Sequence, residues 1–536
     1  MRKNLLPFQL FAACLVGLIL GKFCFSTTKD KVELSLFNGM PSKLQSVINI
    51  VENKYVDVID MDSLTELAIP EVLSHLDPHT SYTPAVKRND AEKSVTGRYC
   101  GIGVEYHTFR DSIQVLCTSP GSPARKAGIL TGDKILYVDT IHAVGLKQKI
   151  KAINAINGKP GSKVRITVER MGCDTLIPID VERGYVKVKS VTSAYMIDSL
   201  NGYIKIESFG DNAFNEFALQ LDKLKKQNLS NLIIDLRDNG GGRVEQAKQI
   251  VSELLPSGDT IAFTIARGNN MDNIYVDTTQ NALCNSMKIV CLVNSKTASA
   301  SEIVAGALQD NDRGVILGRR TYGKGLVQTP IQLTDGSVVR LTTQRYYTPS
   351  GRSLQKGYDN YHNELALRAK NGELDSASAY VVKDSTEFRT RNGRVVYSKG
   401  GVQPDIFVAE PRKITVLSKM DSAYVYERYA AIRHAKYTVQ DSASNDMYIR
   451  ELTENKNATI DKLAEYVRSK GIYAGEKAIS DYGDLMFAKL MSYAYHIIDN
   501  DDEYCRLNNY GDPDIARAVS AISDNEKYRR ILNPEN

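Results

Sequence analysis

The sequence has no tryptophan, only 7 histidines in 536 residues, and no Cys-x-x-Cys pair among its 8 cysteines. Each shortage narrows the function. Without paired cysteine spacing a zinc site is disfavoured. The cysteines are Cys14 and Cys24 near the N-terminus, then Cys100, Cys117, Cys173, Cys284, Cys291 and Cys505, with buried free thiols as the default expectation. The net charge is only +5, and no basic patch is interleaved with aromatics, so nothing argues for a nucleic-acid partner. Beyond the N-terminus there is no long apolar run, so the bulk of the chain reads as soluble.

What is present begins with an address. "MRKN" is basic, "LLPFQLFAACLVGLILG" is apolar, and polar sequence follows from Ser26. Residues 1–26 therefore read as an export signal, either cleaved or kept as a membrane anchor. A lipoprotein signal at Cys24 ranks below both, because Lys22 and Phe23 stand where small residues are wanted. Residues 35–92 are helix-patterned, with Leu44, Val47, Ile48 and Val51 near a 3.6 period and Ser63 as an expected N-cap. His75 and His79 are four apart there, but Pro78 intervenes and a metal site is a poor reading. Residues 95–183 hold short β-runs with one or two helices, a compact β-module. From 184 to 409 strands and helices alternate, which predicts an α/β core with crossover helices. Residues 410–536 return to helical patterns. The fold class is thus multidomain α+β.

The chemistry centres on "KTASASEIVAG", residues 296–306, where Ser299 and Ser301 stand at the mouth of a helix. Either hydroxyl serves as an ordinary N-cap, or one is a nucleophile beside free helical amides. No histidine is expected near this core, so a Ser-His-Asp triad is not evident. A lysine is the alternative base. Lys324, in "TYGKGLVQTP", is flanked by Gly323 and Gly325. To act near neutrality its pKa must fall by roughly 3 units, about 4 kcal/mol, which burial can supply. Lys324, Leu326 and Gln328 alternate along a strand, so Gln328 is placed to orient the lysine. The stretch from Gly318 also matches G-x-x-x-x-G-K, but Gly325 replaces the Ser or Thr of a phosphate loop and a strand follows where a helix is required. For an oxyanion hole the amide of Ala300 is one candidate. The triple glycine of "DLRDNGGGR", through Gly241, is the other, with a plain tight turn as its blander reading.

Taken together, "VNSKTASASEIVAGALQDNDRGVILGRRTYGKGLVQ", "DLRDNGGG", "YYTPSGRSLQ" and "GGVQPDIFV" resemble the carboxyl-terminal processing (tail-specific) proteases of peptidase family S41, over about residues 40–409. The resemblance implies a serine endopeptidase that needs no cofactor, with Ser299 as nucleophile, Lys324 as base and Gln328 as its partner. It selects Ser299 over Ser301, and it leaves Asp310 as a minor candidate. It also implies that the β-module is a PDZ-like domain. Gly101, Ile102 and Gly103 of "RYCGIGVEY" would then hold the C-terminus of a protein or peptide substrate. A bacterial, periplasmic location follows from the same resemblance and the export signal. A noncatalytic PDZ scaffold on a protease-like fold is the competing function. An oligomer, a regulatory partner and anchoring through the N-terminus are left open.

Overall fold

The computed structural model describes residues 42–87, 97–108, 113–275, 287–379, 386–411, 414–437 and 440–534. Residues 1–26, where an export signal is expected, and Cys284 lie outside them. The chain divides into two units, residues 1–69 and 70–536. In the first, the helix Lys43–Lys54 is capped by Ser42, whose hydroxyl accepts the Gln45 amide. A second helix, Met61–Ser74, runs across the boundary. Its cap is Asp60, which accepts from the amides of Asp62 and Ser63, so the expected cap at Ser63 is displaced upstream. Aspartate caps as well as serine, and Asp60 also takes the Ser63 hydroxyl at 2.6 Å.

In the second unit the β-module is a sheet in the order Val104–Thr108, Ile113–Thr118, Lys134–Val138, Lys163–Glu169, Ile177–Glu182, all antiparallel. Its alternating apolar residues, such as Val164, Ile166 and Val168, are buried against the helix Leu146–Ile156. Arg98–Gly101 pairs with Gly184–Lys187 and closes the module. Val104–Thr108 is an edge strand.

The core sheet has the order Val191–Met196, Asn201–Ile206, Asn231–Asp235, Lys288–Val293, Val315–Gly318, Ile406–Phe407. The first pair is antiparallel and the rest parallel. Near-continuous apolar strands such as "KIVCLV" are what a parallel sheet covered on both faces demands. One face packs on the helices Ala213–Lys225, Val244–Ser252 and Ala300–Asp310. The other face, through Val290, Leu292 and Leu317, is covered by Ile515, Ala518, Ile522 and Tyr528 of the C-terminal region. A second sheet joins Ser81–Thr83, Val338–Tyr347, Thr260–Ala266 and Met271–Tyr275, with Leu326–Gln332 also paired to Val338–Tyr347. The C-terminal helices have their own core of Leu417, Met420, Tyr426, Leu463, Met486 and Leu490, and Leu116 of the β-module is part of it. Among the described residues Cys100, Cys117 and Cys291 are buried free thiols, Cys505 is half-buried, and Cys173 is exposed, contrary to the default expectation.

Candidate active site

The parallel strand Lys288–Val293 delivers the chain to a turn, and Ser299 stands at the N-cap of the buried helix Ala300–Asp310. Its φ is +58°, a region that non-glycine residues avoid. Such strain costs roughly 1–3 kcal/mol and persists only where neighbours over-determine it. They do so here. The Ser299 amide donates to Glu302 Oε2 at 2.9 Å, and the Tyr346 hydroxyl donates to the Ser299 carbonyl at 3.3 Å. Ser299 is half-buried. Ser301 is fully buried and donates its hydroxyl to the Asn239 carbonyl at 3.0 Å, a structural contact.

Glu302 joins the two turns, a role that its place in the sequence does not announce. Its carboxylate accepts from Ser299 N, from Lys324 N and Gly323 N at 2.8 Å each, and from the Thr321 hydroxyl at 2.5 Å. One fully buried side chain thus ties the turn carrying Ser299 to the turn carrying Lys324. Burial pushes its pKa up, and these four donors work in the opposite direction. The Ser-x-x-Glu spacing of a capping box was visible in "SASE"; the reach to residues 321–324 was not.

Lys324 is half-buried, just before the strand Leu326–Gln332. Its Nζ donates to Gln328 Oε1 at 2.9 Å, and Gln328 Nε2 donates to the His79 carbonyl. The register of the strand shifts between Val327 and Gln328. Burial lowers the Lys324 pKa from the ordinary lysine value, and Arg340 lowers it further, against Glu302 and Asp77. No hydrogen bond joins Ser299 to Lys324 among the described residues.

His79 corrects the expectation that no histidine lies near this core. The Asp77 carboxylate accepts from the amides of His79 and Thr80, and this turn puts the His79 ring against Tyr361 and Tyr322. Burial, then the nearby charge of Lys324, depresses the His79 pKa to about 4. None of its hydrogen bonds reaches Ser299; its ring nitrogen meets the Tyr361 hydroxyl.

The glycine loop 239–242 packs on the serine turn. A Cβ on Gly241 would lie 2.8 Å from Ser299 Cβ and 3.0 Å from Ala300 N, so only glycine, here at φ +103°, fits so close. The Gly241 amide itself donates to Asn239 Oδ1 at 2.8 Å. Among the described residues no protein acceptor takes the amides of Ala300 and Gly240. Asn239 also accepts the Ala298 amide at 3.0 Å and donates to the Ile206 carbonyl at 2.9 Å, stitching loop to sheet.

Asp310 lies at the other end of the Ser299 helix, about 15 Å along it at 1.5 Å per residue. It pairs with Arg352 at 2.7 Å with both side chains fully buried, and it takes the Ser350 hydroxyl at 2.6 Å. This geometry gives it a structural task and removes it as a helper of the reaction.

In the β-module, Gly101 ends the strand Arg98–Gly101, and Ile102 and Gly103 turn the chain into the edge strand Val104–Thr108. The Ile102 and Gly103 carbonyls are held by the amides of Ala124 and Ser119 at 2.8 and 3.0 Å. Beside this turn, Ile102, Gly103, Val104, Tyr106, Ile153 and Ile156 line a cavity of about 160 Å³. An unpaired strand edge beside an apolar groove is the geometry for adding a peptide strand.

Comparison with known proteins agrees with this assembly. The model of "Peptidase family S41" matches residues 201–360, and that of the "PDZ domain" matches residues 114–170. A carboxy-terminal-processing protease of Bartonella bacilliformis is 31% identical over 402 residues, covering 70% of this chain and 91% of the relative. A carboxyl-terminal-processing protease of a Picosynechococcus species is 34% identical over 298 residues, covering 54% and 70%. Among solved structures, a photosystem II D1 C-terminal processing protease is 28% identical and covers 58% of this chain and 83% of that one. Its TM-score is 0.33, too low for its geometry to be carried over.

Proposed function

The chain belongs to the carboxyl-terminal processing proteases of peptidase family S41, serine-type peptidases with a PDZ domain, and from that premise we propose that Ser299 and Lys324 form its catalytic dyad. The observation that carries this reading is the single Glu302 carboxylate holding the backbones of both turns. A neutral lysine has two N–H groups and one lone pair. One N–H stays on Gln328, and the lone pair is left to accept the Ser299 proton as Oγ attacks the scissile carbonyl. Catalytic hydrogen bonds of this kind commonly tighten only with substrate bound. The oxyanion falls to the Ala300 amide and to the glycine loop packed on it, where the Gly241 amide would first have to release Asn239. Protonated Lys324 then returns its proton to the leaving amine, and water hydrolyses the acyl-enzyme by the same base.

The PDZ domain, in this proposal, presents its edge strand and the Gly101–Gly103 turn to the free C-terminus of an unfolded protein. The basic and apolar character of residues 1–26 supports export to a bacterial periplasm. The experiment is cleavage of one unfolded substrate, as free acid and as C-terminal amide, by the full chain. Ser299→Ala and Lys324→Arg abolish turnover of both forms, since a guanidinium stays protonated. Ser301→Ala, if folded, retains activity, and the parent cleaves the amide more slowly than the acid. An active Ser299→Ala would overturn the nucleophile; equal rates on acid and amide would overturn the terminus-reading role.

A further inference from the structure

Far from the dyad, Glu105, Cys117 and His496 bring three unlike ligand atoms together. Glu105 and Cys117 face each other across the PDZ strands Val104–Thr108 and Ile113–Thr118. His496 comes from the last turn of the helix Glu476–Ile497, nearly 400 residues away in sequence. Cys117 Sγ lies 3.5 Å from Glu105 Oε2 and 3.7 Å from His496 Nε2, and these two are 2.9 Å apart. For a tetrahedral ion with bonds of about 2.3 Å to sulfur and 2.0–2.1 Å to nitrogen and oxygen, the corresponding edges are about 3.6, 3.6 and 3.3 Å. Three atoms already spaced within about half an ångström of one tetrahedral face need little rearrangement to bind.

The surroundings support the same use. The His496 ring turns its other nitrogen, Nδ1, toward Asp501 Oδ1 at 3.8 Å, and among the described residues that buried nitrogen has no hydrogen-bond partner. Ligating histidines are typically oriented by a carboxylate on the second nitrogen. Asp501 is in turn paired with Lys189, in the segment that links the PDZ domain to the core sheet. The three residues line a cavity of about 780 Å³ between the PDZ domain, the core and the C-terminal helices, room enough for a water as fourth ligand.

We propose that Glu105, Cys117 and His496 bind a zinc ion that staples the PDZ domain to the C-terminal helices. Thiolate, imidazole and carboxylate together suit a borderline-soft ion rather than calcium or magnesium. Binding displaces the thiol proton of Cys117 and the imidazolium proton of His496. Glu105 sits beside Val104, which lines the peptide groove, so the ion fixes the strand that receives the substrate. Cysteine spacing alone disfavoured any zinc site because the ligands come from distant parts of the chain.

The test uses the full-length protein stripped with chelator and titrated with cobalt(II), which takes zinc sites and absorbs visible light. The parent binds one cobalt per chain with a thiolate-to-cobalt charge-transfer band, and zinc abolishes the band. Cys117→Ser loses the band, Cys173→Ser keeps it, and Asp501→Asn weakens binding by about 10–100-fold. Circular dichroism checks the folding of each variant. Should Cys117→Ser misfold, His496→Gln, at a partly exposed position, takes its place and loses the one-per-chain binding. A parent without the charge-transfer band, or a folded Cys117→Ser or His496→Gln that binds like the parent, overturns the proposal.

Discussion

Glu302 has four donors on two oxygens, none of them from a cation, at a position with no exposure to solvent. Glu302→Gln keeps the shape but turns an amide NH2 toward groups that must donate. A buried donor left unmet costs about 1–3 kcal/mol, so denaturant unfolding should register a loss of that size. Activity suffers more, because a drift of about 1 Å between nucleophile and base costs about 100-fold in rate. A stable variant with parental kcat would refute this role. The pH dependence also belongs to single residues. Lys324 is the base only when neutral, and burial with Arg340 lowers its pKa, so kcat/KM rises with pH and levels off below the ordinary lysine value. His79 acts on stability. Its folded pKa of about 4 lies below the unfolded value of about 6.5, so the unfolded chain binds more protons in between. Its contribution is therefore present above pH 6.5 and is lost as pH falls toward 4. His79→Gln should flatten the stability curve in that window, read from urea midpoints at each pH; an unchanged slope would contradict the assignment.

Among the elements, the helix and strand alternation of the core was legible because periodicity changes between 2 and 3.6 along one chain. "NLIID", "KIVCLV" and "SASEIVAGALQD" read directly as strand, strand and helix, and they form the elements Asn231–Asp235, Lys288–Val293 and Ala300–Asp310. What periodicity does not carry is contact between distant elements. The His79 carbonyl orients Gln328 from nearly 250 residues away, and nothing near "LDPHTSYTP" announces it. The triple glycine looked equally like a tight turn, and only its packing on Ser299 distinguishes the two. Gly241→Ala tests that packing. The added methyl meets Ser299 Cβ at 2.8 Å and the Ala298 carbonyl at 2.8 Å, and the backbone conformation there is unfavourable for alanine. Turnover should fall about 100-fold or more in a chain whose circular dichroism matches the parent, the loss falling on kcat more than KM. Parental turnover would show that the loop tolerates a side chain and does not abut the reacting atoms.

At the scale of the whole molecule, the 410–536 region had no reading in the sequence beyond its helical pattern, because its task is to cover surfaces that lie elsewhere in the chain. It buries Leu116 of the PDZ domain and one face of the core sheet. It also brings Asp512 and Asp514 to Arg237, at the base of the glycine loop, at 2.7 and 3.0 Å. A chain ending at 409 would expose Val290, Leu292 and Leu317 and should lose its cooperative unfolding transition instead of yielding a smaller protease; calorimetry with retained parental Tm would contradict this. The central claim is that the intact chain is a protease whose nucleophile is Ser299 and whose base is Lys324. It is tested most directly by treating the full-length protein with a fluorophosphonate and mapping the adduct by mass spectrometry. One adduct is expected, on the peptide containing Ser299, formed faster as pH rises, absent from Ser299→Ala and strongly slowed in Lys324→Ala. An adduct on Ser301 or elsewhere, or undiminished labelling without Lys324, would contradict it.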